Sequence, residues 1–193
     1  VEQAYNICFL GPPGVGKTTL INRVEQWLQQ QQRPYLRTRE PGGTPLAEQI
    51  RSLLLTPQAE PMAADCELLL LFAARAQHLQ QVIVPALQAD HWVLCDRFID
   101  ASFAYQAAGR GITGAKIQQL VDLFVPVLPE RTFWLDAPVE LGLQRAQQRG
   151  QFTDTLPVLG LIHRLLDGAH AGRRQDEPGE LVEFLAQLRF GER

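Results

Sequence analysis

Four short runs along this chain read as strands, and helical periodicity fills the stretches between them. The runs are Ile7-Cys8-Phe9-Leu10, Pro34 to Thr38, Trp92 to Cys95, and Thr132 to Leu135. After the first, Leu20, Ile21, Val24, Trp27 and Leu28 fall on one face of a helix spanning Thr19 to Leu28, and Pro34 stops the chain beyond a polar glutamine end. Thr44 reads as an N-cap with Pro45 at the first helical position; Leu46, Ile50, Leu53 and Leu54 predict a buried stripe on the helix that follows. Asp65 to Leu79 predicts another helix, and Val82 to Ala89 a further one. Thr113 caps one running to about Phe124, and Ala137-Pro138 opens one to about Arg149. Glu40-Pro41-Gly42-Gly43 is a tight turn, while Thr56 to Pro61 and Gly109-Arg110-Gly111 are loops. Strands alternating with helices predict an α/β fold with a parallel sheet and helices on both faces. Ligands in such sheets bind outside the strand carboxyl ends.

Chemistry enters at residues 11–19, GPPGVGKTT, a complete G-x-x-x-x-G-K-[ST] phosphate loop lying between a strand and a helix. Its glycines let the backbone N–H groups of Gly11, Pro12, Pro13, Gly14, Val15, Gly16, Lys17, Thr18 and Thr19, prolines excepted, point into one concavity, and the helix N-terminus adds positive potential. Lys17, read as an exposed point charge, reaches the terminal phosphates, and Thr18 is placed to hold Mg²⁺. Lys17 is one of two lysines against sixteen arginines, so a lysine here is not a compositional accident.

Composition narrows the partners. A chain of 193 residues, 46% hydrophobic and 20% charged, suits one globular domain over 1–193. A net charge of −3 offers no general attraction to nucleic acid or an anionic membrane. The scattered Cys8, Cys66 and Cys95 are expected to be reduced thiols, two of them buried in strands. With no run of eighteen apolar residues and no leader-like segment, the expected compartment is cytoplasmic.

Other candidates follow strands and so converge on the loop's edge of the sheet. Asp96 can hold the water shell of Mg²⁺ or orient an attacking oxygen; the bland alternative is an ion pair with Arg97. Arg39 is either a second phosphate ligand or a surface arginine. Phe72 and Arg75, three apart on a helix, share a face and, with Gln106, could hold a base; taken alone, Phe72 is more readily a core residue.

These stretches together resemble the thymidylate kinases. The matching segments are GPPGVGKTT, TREPGGTPLAEQIRSLLL at 38–55, ELLLLFAARAQHL at 67–79, DRFIDASFAYQAAGRGI at 96–112 and FWLDAPVELGLQRAQQRG at 133–150. The resemblance implies a P-loop NTPase fold with four to five parallel strands. It implies transfer of the γ-phosphoryl of ATP to dTMP with Mg²⁺, and a homodimer formed through helices. Carried onto this chain, it assigns Lys17 and Thr18 to ATP and Mg²⁺, and places Asp96 by the metal. Arg39 and Arg97 hold the dTMP phosphate, Phe72 stacks on thymine and Arg75 bonds its edge. Ser102 lies in the acceptor site, Tyr105 closes the space of a 2′-hydroxyl, and Gln106 faces the base. Arg145 and Arg149 stabilise charge on the transferring phosphoryl. Glu40-Pro41 matches a turn that is often cis in that family.

Two departures stand out. Pro13 occupies a phosphate-loop position where the family commonly carries an acid, and Gln151-Phe152-Thr153-Asp154 stands where a lid arginine is expected. The lid is placed at about 145–156 and an atypical tail at 157–193, with no fifth strand in 151–193 and a helix over Glu180 to Leu188. These departures leave two alternatives beside the kinase: a weakly catalytic nucleotide-binding relative acting through a partner, or a kinase for another nucleoside monophosphate.

Overall fold

The computed structural model describes residues 4–136, with Pro138, Gly142, Gln144, Arg145 and Gln148. Four strands, β1 (Asn6–Leu10), β2 (Tyr35–Arg39), β3 (Trp92–Asp96) and β4 (Arg131–Trp134), form a parallel sheet in the order β2-β3-β1-β4. Register brings the carboxyl ends level: Phe9 lies beside Asp96, Arg39 beside Asp96, and Leu10 beside Trp134. The predicted fold is observed, with all four expected strands. The expectations for 151–193, for the lid and for Arg149 lie outside the described residues.

Side-chain alternation along β1 and β3 splits the interior in two. Ile7, Phe9, Trp92 and Leu94 pack with Leu20, Ile21, Val24, Trp27 and Leu28 of α1 (Lys17–Gln30) on one face. Cys8, Leu10, Val93 and Cys95 pack on the other face, with Leu68 and Phe72 of α3 (Ala64–His78) and Ile117 and Val121 of α6 (Gly114–Phe124). Both strands are central and buried on both sides, so their sequences are continuously apolar.

Two expectations need correction, and a third stretch carried none. In α2 (Pro45–Leu55), Thr44 caps as predicted, its Oγ1 accepting from the Ala47 N–H at 3.1 Å. The predicted leucine stripe is not buried, however: Leu46 is 50% and Leu53 44% exposed, Ile50 and Leu54 are half-buried, and Ala47 is the residue the helix buries. Periodicity tells which residues share a face, not what covers that face. Second, α3 does not stop at a break but widens through an i→i+5 turn at Leu79–Ile83 into α4 (Val84–Gln88). Pro85 sits just inside α4; it lacks an N–H and crowds the preceding turn, and the wider turn accommodates it. Third, residues after Asp96 are helical: α5 (Ile99–Ser102) runs into a second wide turn over Phe103–Ala108.

Candidate active site

The carboxyl ends of β1, β2 and β3 open into one cleft of about 870 Å³. One end belongs to the phosphate loop. Gly16 caps α1 at a left-handed φ of 107°, with no side chain at the cap, so the first N–H groups of the helix remain available. Gly14, at φ +78°, packs so closely beneath the helix after β4 that an added Cβ would lie 2.2 Å from the Gly142 carbonyl oxygen and 3.2 Å from the Arg145 Cβ. The backbone of Arg145 is thereby brought beside the loop. Lys17 is not the exposed point charge expected. It is 8% exposed, and its Nζ donates to the Gly11 and Pro12 carbonyls at 2.9 Å each. Those bonds orient the ammonium across its own loop. Thr18 and Thr19 are exposed at the start of α1.

The opposite end is rich in arginine. Arg97 follows β3 at φ 72°, a left-handed conformation costly for a non-glycine residue and concentrated at functional sites. Its Nη1 donates to the Tyr105 hydroxyl at 2.8 Å, and its guanidinium lies 5.2 Å from that ring's centre. Arg97 makes no ion pair with Asp96, so the bland alternative for that pair is not what the described residues form. Arg39 is gripped in a fork by Glu48 at 2.7 and 2.9 Å, and that carboxylate also takes the Gly43 N–H. Arg51 of α2, which sequence reasoning missed, lines the same wall and donates to the Pro41 carbonyl at 2.9 Å. Burial first, then the charges of Arg39 and Arg97, lowers its pKa. Three guanidiniums around one recess favour an anion bearing more than one charge.

Between the two ends sits Asp96. Its Oδ1 is buried and has no hydrogen-bond partner. A buried acceptor left without a donor or cation is costly, which makes Asp96 a candidate ligand position.

A third wall is built from α3 and the helical segment 99–108. Glu67, Leu71 and Arg75, each four residues apart on α3, line it opposite Ser102, Tyr105 and Gln106. Arg75 is 4% exposed. Its Nε donates to Glu40 at 2.7 Å and its Nη2 to the Ser102 hydroxyl at 3.2 Å, while Nη1 is buried without a partner. Behind it, His78 bonds Thr38 Oγ1 at 2.6 Å and stands 3.4 Å from Glu40. The Glu40-Pro41 bond is cis.

At Phe72 the geometry agrees with the reading of the residue alone, as core, and not with the stacking role that the resemblance implies. It is 3% exposed and belongs to the buried core, with the Arg75 guanidinium 4.8 Å from its ring centre. It does not line the cleft; its neighbour Leu71 does, as does Phe98. Successive helical residues point about 100° apart, so Leu71 and Phe72 cannot both face the cleft. Glu40, Glu67, Leu71, Phe98 and Arg110 were also not singled out from the sequence. Glu67 and Arg75, eight apart, lie on one helical stripe with Leu71, a signal that was available.

A phosphate loop at one end of a cleft and an arginine recess at the other define a phosphotransferase that acts on a phosphorylated small molecule. The family model for thymidylate kinase matches residues 9–157. A thymidylate kinase of Acinetobacter baumannii (strain AYE) is 60% identical over 145 residues, covering 75% of this chain and 73% of that protein. One from Psychrobacter sp. (strain PRwf-1) is 55% identical over 147 residues, covering 74% and 70%. The crystal structure of thymidylate kinase from Ehrlichia chaffeensis superposes with a TM-score of 0.65 at 32% identity, covering 86% of this chain and 100% of that one. The chain belongs to the thymidylate kinase family.

Proposed function

We propose that this cleft transfers the γ-phosphoryl group of ATP to the 5′-phosphate of dTMP, giving ADP and dTDP. The observation that carries the reading is the pairing of a phosphate loop with the Arg39–Arg51–Arg97 recess in one cleft. The loop N–H groups and Lys17 bind the donor phosphates; the arginines hold the acceptor phosphate in line. An acceptor oxygen bonds to the γ-phosphorus as the β–γ bridging bond breaks and ADP leaves. Arg145, against the loop, neutralises charge on the phosphoryl in passage. Arg149 is assigned the same role from the resemblance alone. Ser102, Tyr105, Arg75 and Gln106 line the cleft; the resemblance assigns Tyr105 to the space of a 2′-hydroxyl and the other three to the acceptor nucleotide.

Mg²⁺ suits the site: the orphaned Asp96 Oδ1 and the exposed Thr18 hydroxyl are hard oxygen donors, and few protein ligands are the rule for a metal bound chiefly by phosphates and water. When bound, it neutralises phosphate charge. No helix among the described residues is long and apolar enough to cross a membrane; a cytoplasmic compartment is the reading adopted, with no nucleic-acid partner. A homodimer is supported by exposed apolar side chains on three helices, discussed below.

The test is ADP release measured with dTMP, dUMP, dCMP, dAMP and dGMP as acceptors. Turnover on dTMP well above the others is expected. Equal turnover on a purine monophosphate, or none on dTMP, overturns the reading.

A further inference from the structure

We propose that Glu67 is the positioning residue that fixes the polarity of the Gln106 side-chain amide, and so makes the cleft accept a 4-oxo pyrimidine and reject a 4-amino one. The inference rests on the proposed placement of the base between α3 and the segment 99–108.

A glutamine amide is two-faced: one end donates, the other accepts, and rotation by half a turn exchanges them. Left alone at a base edge, it would accommodate either pattern. Here Gln106 is not left alone. Its Nε2 donates to Glu67 Oε1 at 2.9 Å. A carboxylate only accepts, so the end of the amide facing it must be the NH₂. The amide oxygen is then the group Gln106 presents to the cleft it lines. Glu67 is itself held: its second oxygen, Oε2, takes both the Nε (2.9 Å) and the Nη2 of Arg110, at the end of the helical segment that carries Gln106. Arg110 therefore ties the carboxylate to the element whose side chain it orients.

The other half of the pattern comes from Arg75. Its Nη1 is buried and without a partner, while Nε and Nη2 are fixed by Glu40 and Ser102. Arg75 and Gln106 both line the cleft, with the unpaired Nη1 assigned to the base as donor and the Gln106 oxygen as acceptor. A ring carrying an oxygen at C4 and a hydrogen on N3 satisfies both. A ring carrying NH₂ at C4 and a lone pair on N3 sets donor against donor and acceptor against acceptor. Sites that leave buried polar groups unpaired reject the wrong ligand strongly.

The experiment compares dUMP with dCMP, which differ only at that edge. In the unmodified enzyme, calorimetric titration should show dUMP binding at least about a hundredfold tighter than dCMP. Glu67→Gln keeps the side chain's shape but can donate, which frees the Gln106 amide to turn. The dUMP-to-dCMP preference should fall by on the order of tenfold or more. The KM for dTMP should rise several-fold, more than kcat changes, with the KM for ATP little moved. The double variant Glu67→Gln with Gln106→Glu restores an acceptor-only group to the cleft, now anchored by a donor at 67, and should recover the preference; a merely structural role for Glu67 predicts no such recovery. The inference is overturned if the unmodified enzyme binds dCMP as well as dUMP. It is also overturned if Glu67→Gln keeps the full preference, or if the double variant is no more selective than the single one. Failure of the kinase reading is separately visible as absent turnover of dTMP by the unmodified enzyme.

Discussion

Lys17 and Arg51 are both cations pressed into the protein ahead of any substrate, but their surroundings differ. Lys17 bridges two carbonyls of its own loop, whereas Arg51 faces two like charges, and burial and those charges lower its pKa. Lys17→Ala removes a preorganised donor and its two bonds to the carbonyls of its own loop. ADP release with dTMP should fall by on the order of a hundred- to a thousandfold, while the thermal midpoint moves by no more than a few degrees; turnover near that of the parent would remove Lys17 from the mechanism. The Arg39–Arg51–Arg97 recess should be relieved by a dianion. Inorganic phosphate should therefore raise the thermal midpoint, and Arg51→Ala should blunt that rise while increasing the KM for dTMP about tenfold or more. An undiminished phosphate response in the variant would count against the recess as the acceptor site. Thiol chemistry follows from burial as well: Cys8 and Cys95 are fully enclosed and held protonated by desolvation, whereas Cys66 is exposed. Iodoacetamide at neutral pH should label Cys66 alone until the protein is unfolded.

Elements differ in how far their sequences disclosed them. β1 and β3 were legible because a strand buried on both faces is an unbroken apolar run, and the phosphate loop because its glycines and Lys17 are fixed in spacing. The segment 99–108 was not legible. It starts without a side-chain cap and soon widens to an i→i+5 turn, which breaks the 3.6-residue period on which a helix is recognised. That segment carries Ser102, Tyr105 and Gln106; Gln106 groups with Phe72 and Arg75 in the sequence, but Ser102 and Tyr105 were named from resemblance and not from pattern. On α3 the period was clear but could not decide between adjacent residues. Phe72 in the core and Leu71 in the cleft make opposite predictions. Phe72→Ala should lower the unfolding free energy by about 3–5 kcal/mol. Leu71→Ala should cost less in stability and more in dTMP affinity; a reversed order would return Phe72 to the base site. The junction of the phosphate loop with the helix after β4 is tested at Gly14. An alanine there meets the Gly142 carbonyl at 2.2 Å at a φ that disfavours any side chain. Gly14→Ala should therefore displace the helix bearing Arg145, and both ATP binding and turnover should fall in titration and steady-state assays. Normal kinetics would mean the contact is not maintained in the working enzyme.

Across the whole molecule, the active cleft and a second surface are built on the same helices. α3 turns Leu68 and Phe72 into the core and Glu67, Leu71 and Arg75 toward the cleft, yet Leu69 remains 59% exposed. Leu46 and Leu53 on α2, Leu123 (72%) and Phe124 on α6, and Leu128 after it are exposed as well. Single exposed apolar residues are ordinary, but this many on three neighbouring helices are the observation on which the proposed homodimer rests. The proposed homodimer would give these side chains a partner, and would account for α2 leucines that follow a helical period yet are uncovered in the single chain. Leu69→Glu tests this with little risk to the fold, since substitution of an exposed side chain typically shifts stability by about 0.5 kcal/mol or less. Sedimentation velocity at micromolar concentration should show a dimer for the parent protein and a monomer for the variant. Because Leu69 lies between Glu67 and Leu71 in sequence, loss of the partner should also loosen the base wall, and the KM for dTMP should rise while that for ATP holds. A parent protein that sediments as a monomer, or a Leu69→Glu variant that remains dimeric, would place the self-association surface elsewhere.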